Sequence, residues 1–119
     1  MTDQEPKKFL VFYLIPAAVM ADWAKIDPET RKASEQKLHA EWGSWLGEHA
    51  QLVKLTEVGG KTKRVTASGV ADMRNDIVIY SVIEAPSHEA AAKALEGHPH
   101  LQIPQASIEV MEVRSMGGM

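Results

Sequence analysis

The stretch Ile77-Val78-Ile79-Tyr80-Ser81-Val82-Ile83 is the clearest strand signal in this chain, and Pro86-Ser87 opens a helix directly after it. Gly97 is a stop signal for that helix. The segment His98-Pro99-His100-Leu101 then leads to a last predicted strand over residues 107–113. A strand, a helix and a strand in this order form a β-α-β unit. This unit indicates the architecture of the last third of the chain and specifies no reaction.

The first half of the chain predicts a second unit of the same kind. Residues 9–15 form an unbroken apolar run that ends at Pro16, which is typical of a strand covered on both faces. Residues 17–26 fit a short helix or an irregular turn. Asp27-Pro28-Glu29 is a helix start, with a capping carboxylate and a proline at the first helical position. We expect that helix to continue to about residue 49.

The middle of the chain predicts a hairpin. Residues 52–58 are a strand candidate, Gly59-Gly60 is a turn signal, and residues 62–67 could form a hairpin arm. Residues 68–76 are polar and suggest a loop. The element order is therefore β-α-β-β-α-β, and it predicts an α+β fold, namely a ferredoxin-like protomer with an antiparallel sheet.

The strands at residues 9–15 and 77–83 are apolar at nearly every position, so both faces of the sheet require cover. Helices cover one face of such a sheet. A second copy of the chain is the simplest cover for the other, which predicts a homodimer in which two sheets form a dimeric α/β barrel. The alternative is that residues 17–26 and 59–76 fold over that face.

Composition excludes several classes of protein. The length of 119 residues predicts one domain with its core at residues 8–113 and flexible ends at 1–7 and 115–119. The net charge of −3 gives no basic field for nucleic acid, and no apolar run is long enough for a membrane span. The chain has no cysteine, which excludes disulfides and thiolate sites. Without a targeting signal, the cytoplasm is the default location, and no cofactor is predicted.

Three stretches carry a resemblance to a known family: Glu41-Trp42-Gly43-Ser44-Trp45-Leu46, residues 79–91, and Gly97-His98-Pro99-His100-Leu101 with Ile108-Glu109-Val110. Over residues 8–113 the chain resembles the YCII-related (YciI-like, DGPF-type) family of small dimeric α/β-barrel proteins. The resemblance implies a ferredoxin-like protomer, a dimer, and a helix–sheet cleft with a catalytic histidine. It implies no reaction. Ser68-Gly69-Val70-Ala71 replaces the Asp-Gly-Pro-Phe motif, so Asp72 is only a loose stand-in for that aspartate.

His39 is the first candidate for chemistry, because it lies at the rim of the apolar helix stripe that contains Trp42. Glu35 precedes it by four residues on the same helix face and could orient the imidazole. A histidine beside a carboxylate in a partly dry pocket can act as a general acid or base. The alternative is a boundary histidine that packs on Trp42 and meets water.

Trp42, Tyr13, Tyr80 and Asp72 are candidates for lining a ligand cleft, and the alternative, which such positions favour, is that the aromatic residues pack in the core. His98 and His100 have a chelating spacing but also suit a helix C-terminus, and we predict no metal site. The leading functional hypothesis is a lyase, isomerase or dehalogenase acting on a small organic acid. The alternative hypothesis is a non-enzymatic ligand-binding or dimerisation module with structural histidines.

Overall fold

A computed structural model describes residues 6–118 of the chain. It shows an α+β fold in which three helices accompany antiparallel strands. The six strands are β1 (Lys7–Leu14), β2 (Val53–Val58), β3 (Thr62–Thr66), β4 (Gly69–Met73), β5 (Ile77–Ala85) and β6 (Ser107–Glu112). The helices are α1 (Ala17–Ala24), α2 (Pro28–Glu48) and α3 (His88–Ala94), and short 3-10 turns span Pro99–Gln102 and Met116–Gly118.

Four strands form one antiparallel sheet in the order β2-β5-β1-β6. The two most apolar strands, β1 and β5, lie in the centre of the sheet. Their pairing places Phe9 opposite Ile83 and Val11 opposite Ser81. Because side chains alternate along a strand, these four residues share one face of the sheet, and all four are fully buried.

The helices begin where the sequence predicts. The Asp27 carboxylate accepts a hydrogen bond from the Thr30 backbone N–H at 2.9 Å, and Pro28 is the first residue of α2. Ser87 caps α3 in the same way through the Ala90 backbone N–H. After α3 the chain turns at Gly97, whose φ of +73° is a conformation that glycine adopts without steric cost.

The core lies between the sheet and the helices. It contains alternate residues of the two central strands together with Trp45 of α2 and residues of α3 and its C-terminal end. The buried members are Phe9, Val11, Tyr13, Trp45, Ile83, Ala85, Ala91 and Leu95. Only the C-terminal part of α2 takes part, because residues 32–37 and 39–40 are exposed. This core covers one face of the sheet. No helix in residues 6–118 covers the opposite face.

The prediction of a loop at residues 68–76 is wrong, because Gly69–Met73 forms β4. It pairs antiparallel with β3 in a separate two-stranded sheet, with Val65 opposite Val70. The predicted arm at residues 62–67 therefore pairs with the segment after it, and β2 pairs with β5 of the main sheet. The sequence of β4 gives little strand signal, because its five residues do not alternate between apolar and polar as a half-buried strand would.

The chain ends are described only in part. Residues 1–5 and 119, which belong to the segments predicted to be flexible, lie outside the described residues. Lys7 already belongs to β1, and residues 116–118 form a 3-10 turn. No helix in residues 6–118 combines the length and apolar character that a bilayer crossing requires.

Candidate functional site

A cluster of aromatic and imidazole rings fills the space between α2, the 3-10 turn at residues 99–102 and the sheet. We call it the histidine box, and it consists of Tyr13, Trp42, Trp45, His98 and His100. The His98 ring centroid lies 4.4 Å from each of the two indole centroids and 5.2 Å from that of Tyr13. His100 stands edge-on to Tyr13 at 5.5 Å. The box is a packed interior and not an open cleft.

His98 is 1% exposed, and its two ring nitrogens differ. The His100 backbone N–H donates a hydrogen bond to Nδ1 of His98 at 2.9 Å, so the neutral ring carries its proton on Nε2. Nε2 has no hydrogen-bond partner in the described part of the chain, and it sits among aromatic rings to which an N–H can donate weakly. Burial first, and then the nearby His100 and His49, lower the pKa of His98 to about 4. The ring is therefore neutral at physiological pH.

His100 joins the box to the sheet. Its Nε2 lies 3.0 Å from the Leu14 carbonyl oxygen, to which it donates a hydrogen bond at the end of β1. Burial lowers the pKa of His100, while hydrogen bonds to the Leu14 and Ser107 carbonyls oppose that shift. The imidazole thus satisfies a backbone carbonyl and stays neutral, which is a structural role.

Hydroxyl groups continue the polar contacts into the sheet. The Tyr13 hydroxyl lies 3.1 Å from Oγ of Ser81, and that Oγ lies 2.7 Å from Oγ1 of Thr56 on β2. Burial raises the pKa of Tyr13, and the bond to Ser81 partly offsets this. The three hydroxyls satisfy one another across three strands, so they need no ligand.

The opposite face of the sheet is apolar, and no helix in residues 6–118 covers it. We call it the open face, and its apolar members are Leu10, Phe12, Leu14, Leu55, Tyr80, Val82 and Met111. They alternate with the core residues along each strand. Leu55 is 40% exposed and Met111 is 48% exposed, and the other members are half-buried. Large side chains in such a continuous patch mark an interaction surface.

Three acidic side chains accompany this patch. Glu84 lies opposite Lys8 and 4.0 Å from Nζ of Lys54, and the other two are Glu57 and Glu109. Glu57 on β2 accepts a hydrogen bond from the Tyr80 hydroxyl of β5. This hydrogen bond is the main reason why the pKa of Tyr80 is raised. Burial and the negative charge of Glu57 raise it further. Glu109 on β6 lies opposite Phe12. Neither Glu57 nor Glu109 has a cationic side chain within ion-pair distance in residues 6–118.

The two residues predicted to carry acid–base chemistry lie one turn apart on α2 and form no ion pair in residues 6–118. Both His39 and Glu35 are exposed on α2. The Glu35 carboxylate accepts a hydrogen bond at 3.1 Å from Nε1 of Trp23 on α1. In this chain Glu35 therefore ties α1 to α2, and His39 faces away from the packed interior. The acid–base roles of both residues stay a prediction.

The four predicted ligand-binding residues lie in three different places. Tyr13 and Trp42 do meet, with ring centroids 4.9 Å apart, inside the histidine box. Tyr80 belongs to the open face, and Asp72 lies on β4, where its carboxylate pairs with Lys63 at 2.6 Å. One small ligand bound to a single copy cannot reach all four.

The surface hollows within residues 6–118 include two that have the size of a ligand site. The larger, of about 540 Å³, lies where the β3–β4 ribbon joins the sheet, and Lys61, Lys63, Asp72 and Arg74 contribute its charges. The smaller, of about 350 Å³, lies beside Trp45 between α2 and residues 97–102. In residues 6–118 no group of three or more metal-ligating side chains converges.

Burial of His98 and His100 was not visible from the sequence. Their position after a helix suggested exposed groups that complement the helix dipole. The signal that pointed inward was Pro99, which starts the 3-10 turn and orients the two flanking rings. His49, at the C-terminal end of α2, stacks on Trp45 with ring centroids 4.0 Å apart.

Comparison with known proteins identifies no relative by sequence, since no family model and no curated protein matches the chain. Among solved structures, a hypothetical protein of Arabidopsis thaliana has 12% identity and a TM-score of 0.43, over 94% of this chain and 91% of that chain. A Pseudomonas aeruginosa protein has 10% identity and a TM-score of 0.35, over 93% and 96%. At these values neither likeness identifies a family or a function.

Proposed function

We propose that this chain is the protomer of a homodimeric α/β barrel, which serves as a ligand-binding or dimerisation module with structural histidines. The strand order β2-β5-β1-β6 supports a ferredoxin-like protomer, because two interleaved β-α-β units give that order. We also propose membership of the YCII-related family, on the sequence motifs alone.

The open face is the observation that carries the proposal. Phe12 and Val82 are central members of an apolar patch that no helix in residues 6–118 covers. The chain exposes 8567 Å². A compact monomer of this mass exposes about 6400 Å². Each partner of a standard interface contributes about 800 Å², so pairing through the open face brings the exposed area toward the expected value.

The molecule is more extended than a compact domain of its length, and its β3–β4 ribbon is separate from the main sheet. Its radius of gyration is 16.8 Å. A compact domain of this length has a radius of about 13.5 Å. Two sheets that pack face to face lie about 10 Å apart, so a second copy can bury this patch in a two-fold arrangement.

The histidines support a structural role. The ring nitrogens of His49, His88 and His100 each lie within hydrogen-bond distance of a backbone carbonyl, and His98 accepts from a backbone N–H. None of these four rings is presented to a cavity with a second reactive side chain. His39 differs because it is exposed, and acid–base chemistry there would require a partner surface to form its pocket.

The ligand of such a module would be a small organic acid. Lys61, Lys63 and Arg74 line the larger hollow, and Asp72 is its one carboxylate. Lys63 and Arg74 are already paired with Asp72 and Asp76, which leaves Lys61 as the cation available to an incoming carboxylate. Isothermal titration with acetate and benzoate tests this, and Lys61→Ala is expected to abolish any binding measured.

Sedimentation velocity tests the dimer. We expect a species of twice the 13.1 kDa chain mass at micromolar concentration. Leu55→Glu and Met111→Glu place a charge on the open face at positions that are already half-exposed, so the folded monomer loses little. Both variants should sediment as monomers. Ala33→Glu, an equivalent change on exposed α2, should remain dimeric. A monomeric parent protein, or variants that stay dimeric, would refute the proposal.

A further inference from the structure

The ribbon of β3 and β4, which we call the arm, is bare on both faces. Near its tip the cross-strand pair is Val65 and Val70, which are 75% and 66% exposed. Apart from Thr62 and Met73 at its base, every arm residue in the two strands is exposed. The two strands pair with each other and with no strand of the main sheet.

A bare two-stranded ribbon is marginal in water, because a hairpin needs a third strand or a packed face for independent stability. The arm has one internal ion pair, between Lys63 and Asp72, and exposed pairs of this kind add little. The side chains that should supply packing, Val65 and Val70, meet solvent instead. A single copy of the chain therefore provides no surface on which the arm packs.

Charge indicates what that surface is. Lys61 and Arg64 of the arm region have no carboxylate within ion-pair distance in residues 6–118. Glu57 and Glu109 on the open face lack a cation in the same way. A dimer formed through the open face would place carboxylates of both copies in one interface, where uncompensated charge is expensive. The cations of the arm match that deficit.

We propose that the arm of each copy docks on a second copy of the chain, along the rim of the partner's open face. The Val65–Val70 pair supplies the apolar contact, and Lys61 at the base of the arm supplies charge to the acidic side chains there, because Arg64 pairs with Ala71 on the other face of the ribbon. Five-residue strands span about 17 Å, and the outer strands of a four-stranded sheet are about 15 Å apart, so the arm is long enough. This inference rests on the proposed homodimer and adds an exchanged element to it.

Photo-crosslinking with isotopically mixed copies tests the inference. The chain contains no cysteine, so Val70→Cys gives one attachment point for a benzophenone maleimide at an exposed position. Unlabelled and ¹⁵N-labelled copies are refolded together, irradiated and digested for mass spectrometry. Ser34→Cys on exposed α2 is the matched control site. We expect mixed-isotope crosslinks from the arm to peptides that carry Leu55 or Met111, and none of these from the control site.

The outcomes separate the arm from the dimer. Crosslinks confined to copies of one isotope, or no crosslink in a sample that sediments as a dimer, would overturn the docking of the arm and leave the homodimer intact. A sample that sediments as a monomer would overturn both. In addition, Val65→Ser with Val70→Ser should raise the dimer dissociation constant at least about tenfold through lost apolar burial, whereas Thr66→Ser should not change it.

Discussion

The two faces of the four-stranded sheet carry similar side chains in different surroundings. Along β1, Phe9, Val11 and Tyr13 are fully buried under helices, whereas Leu10 and Phe12 between them are half-buried. The covered face closes over a packed histidine box. The open face combines apolar residues with carboxylates that lack cations. One chain therefore encodes enough helix for one side of its sheet, and its second side is suited to another molecule.

The contrast also separates two uses of polar groups. On the covered face, His98 and His100 are held neutral by burial and bond to the backbone. On the open face, Glu57 bonds to Tyr80 and stays exposed. The buried histidines stabilise the packed interior, and the exposed carboxylate is available to a partner.

The largest expected effect compares Phe9→Ala with Phe12→Ala. Phe9 is fully buried and stacks on His88, so its loss should lower the free energy of unfolding by about 3–5 kcal/mol. That loss should be the same at every protein concentration. The loss for Phe12→Ala should grow with concentration, because association stabilises only the parent protein. Urea denaturation at two protein concentrations measures the loss of unfolding free energy in each variant. If the two losses depended on protein concentration in the same way, the distinction between the faces would be contradicted.

The pH dependence of stability should come from the covered face. The pKa of His98 is lowered from 6.5 to about 4, so between these values the unfolded chain binds a proton that the folded chain does not. Stability from this group is full above pH 6.5 and is lost as the pH falls toward 4, by about 3 kcal/mol in total and about 2 kcal/mol between pH 7 and pH 5.

His98→Asn removes the titrating ring and keeps an acceptor for the His100 backbone N–H. Denaturation curves at pH 7 and pH 5 should therefore differ less for this variant than for the parent protein. His39→Asn is the matched control, since His39 is exposed, and it should preserve the parent's pH dependence. An unchanged slope in His98→Asn would remove His98 as the source.

A smaller effect is expected for Ser81→Ala. The change removes the Oγ that lies between Tyr13 and Thr56 and leaves the buried Tyr13 hydroxyl without its partner. We expect the free energy of unfolding to fall by about 1–3 kcal/mol. Ser68→Ala, at an exposed serine beside the arm, is the control. A loss no larger than that of the control would mean that the hydroxyl chain contributes nothing.

The smallest effect is expected for His39→Ala. An exposed residue without buried contacts should change the free energy of unfolding by less than about 0.5 kcal/mol. The same variant tests the acid–base hypothesis. If a small organic acid is found to be turned over, retention of turnover in His39→Ala would end the catalytic role predicted for this residue.

The sequence predicted the main sheet and the helix starts because local chemistry specifies them. The apolar runs around Val11 and Val82 mark central strands, and Asp27 and Ser87 cap helices through short-range hydrogen bonds. The arm was predicted only in part, since β4 carries no pattern beyond its own pairing with β3. Local sequence signals therefore predict the strands that are buried and the helices that begin at a capping residue.

The candidate site was harder to predict, because contacts between distant segments decide it. Spacing on α2 placed His39 near Trp42, but the direction of a rim residue depends on how the helix sits on the sheet. The burial of His98 depends on Tyr13 and Trp45, which are far from it in sequence. The spacing of residues along one helix carries no information about contacts with distant segments.

The central claim is that the open face of this chain is covered by a second copy. Sedimentation velocity over a concentration range of about 1–100 μM tests it most directly, because specific interfaces of standard size bind within or below that range. We expect a mass of twice 13.1 kDa that reverts to one chain mass in Leu55→Glu. A parent protein that remains at 13.1 kDa across the range would contradict it.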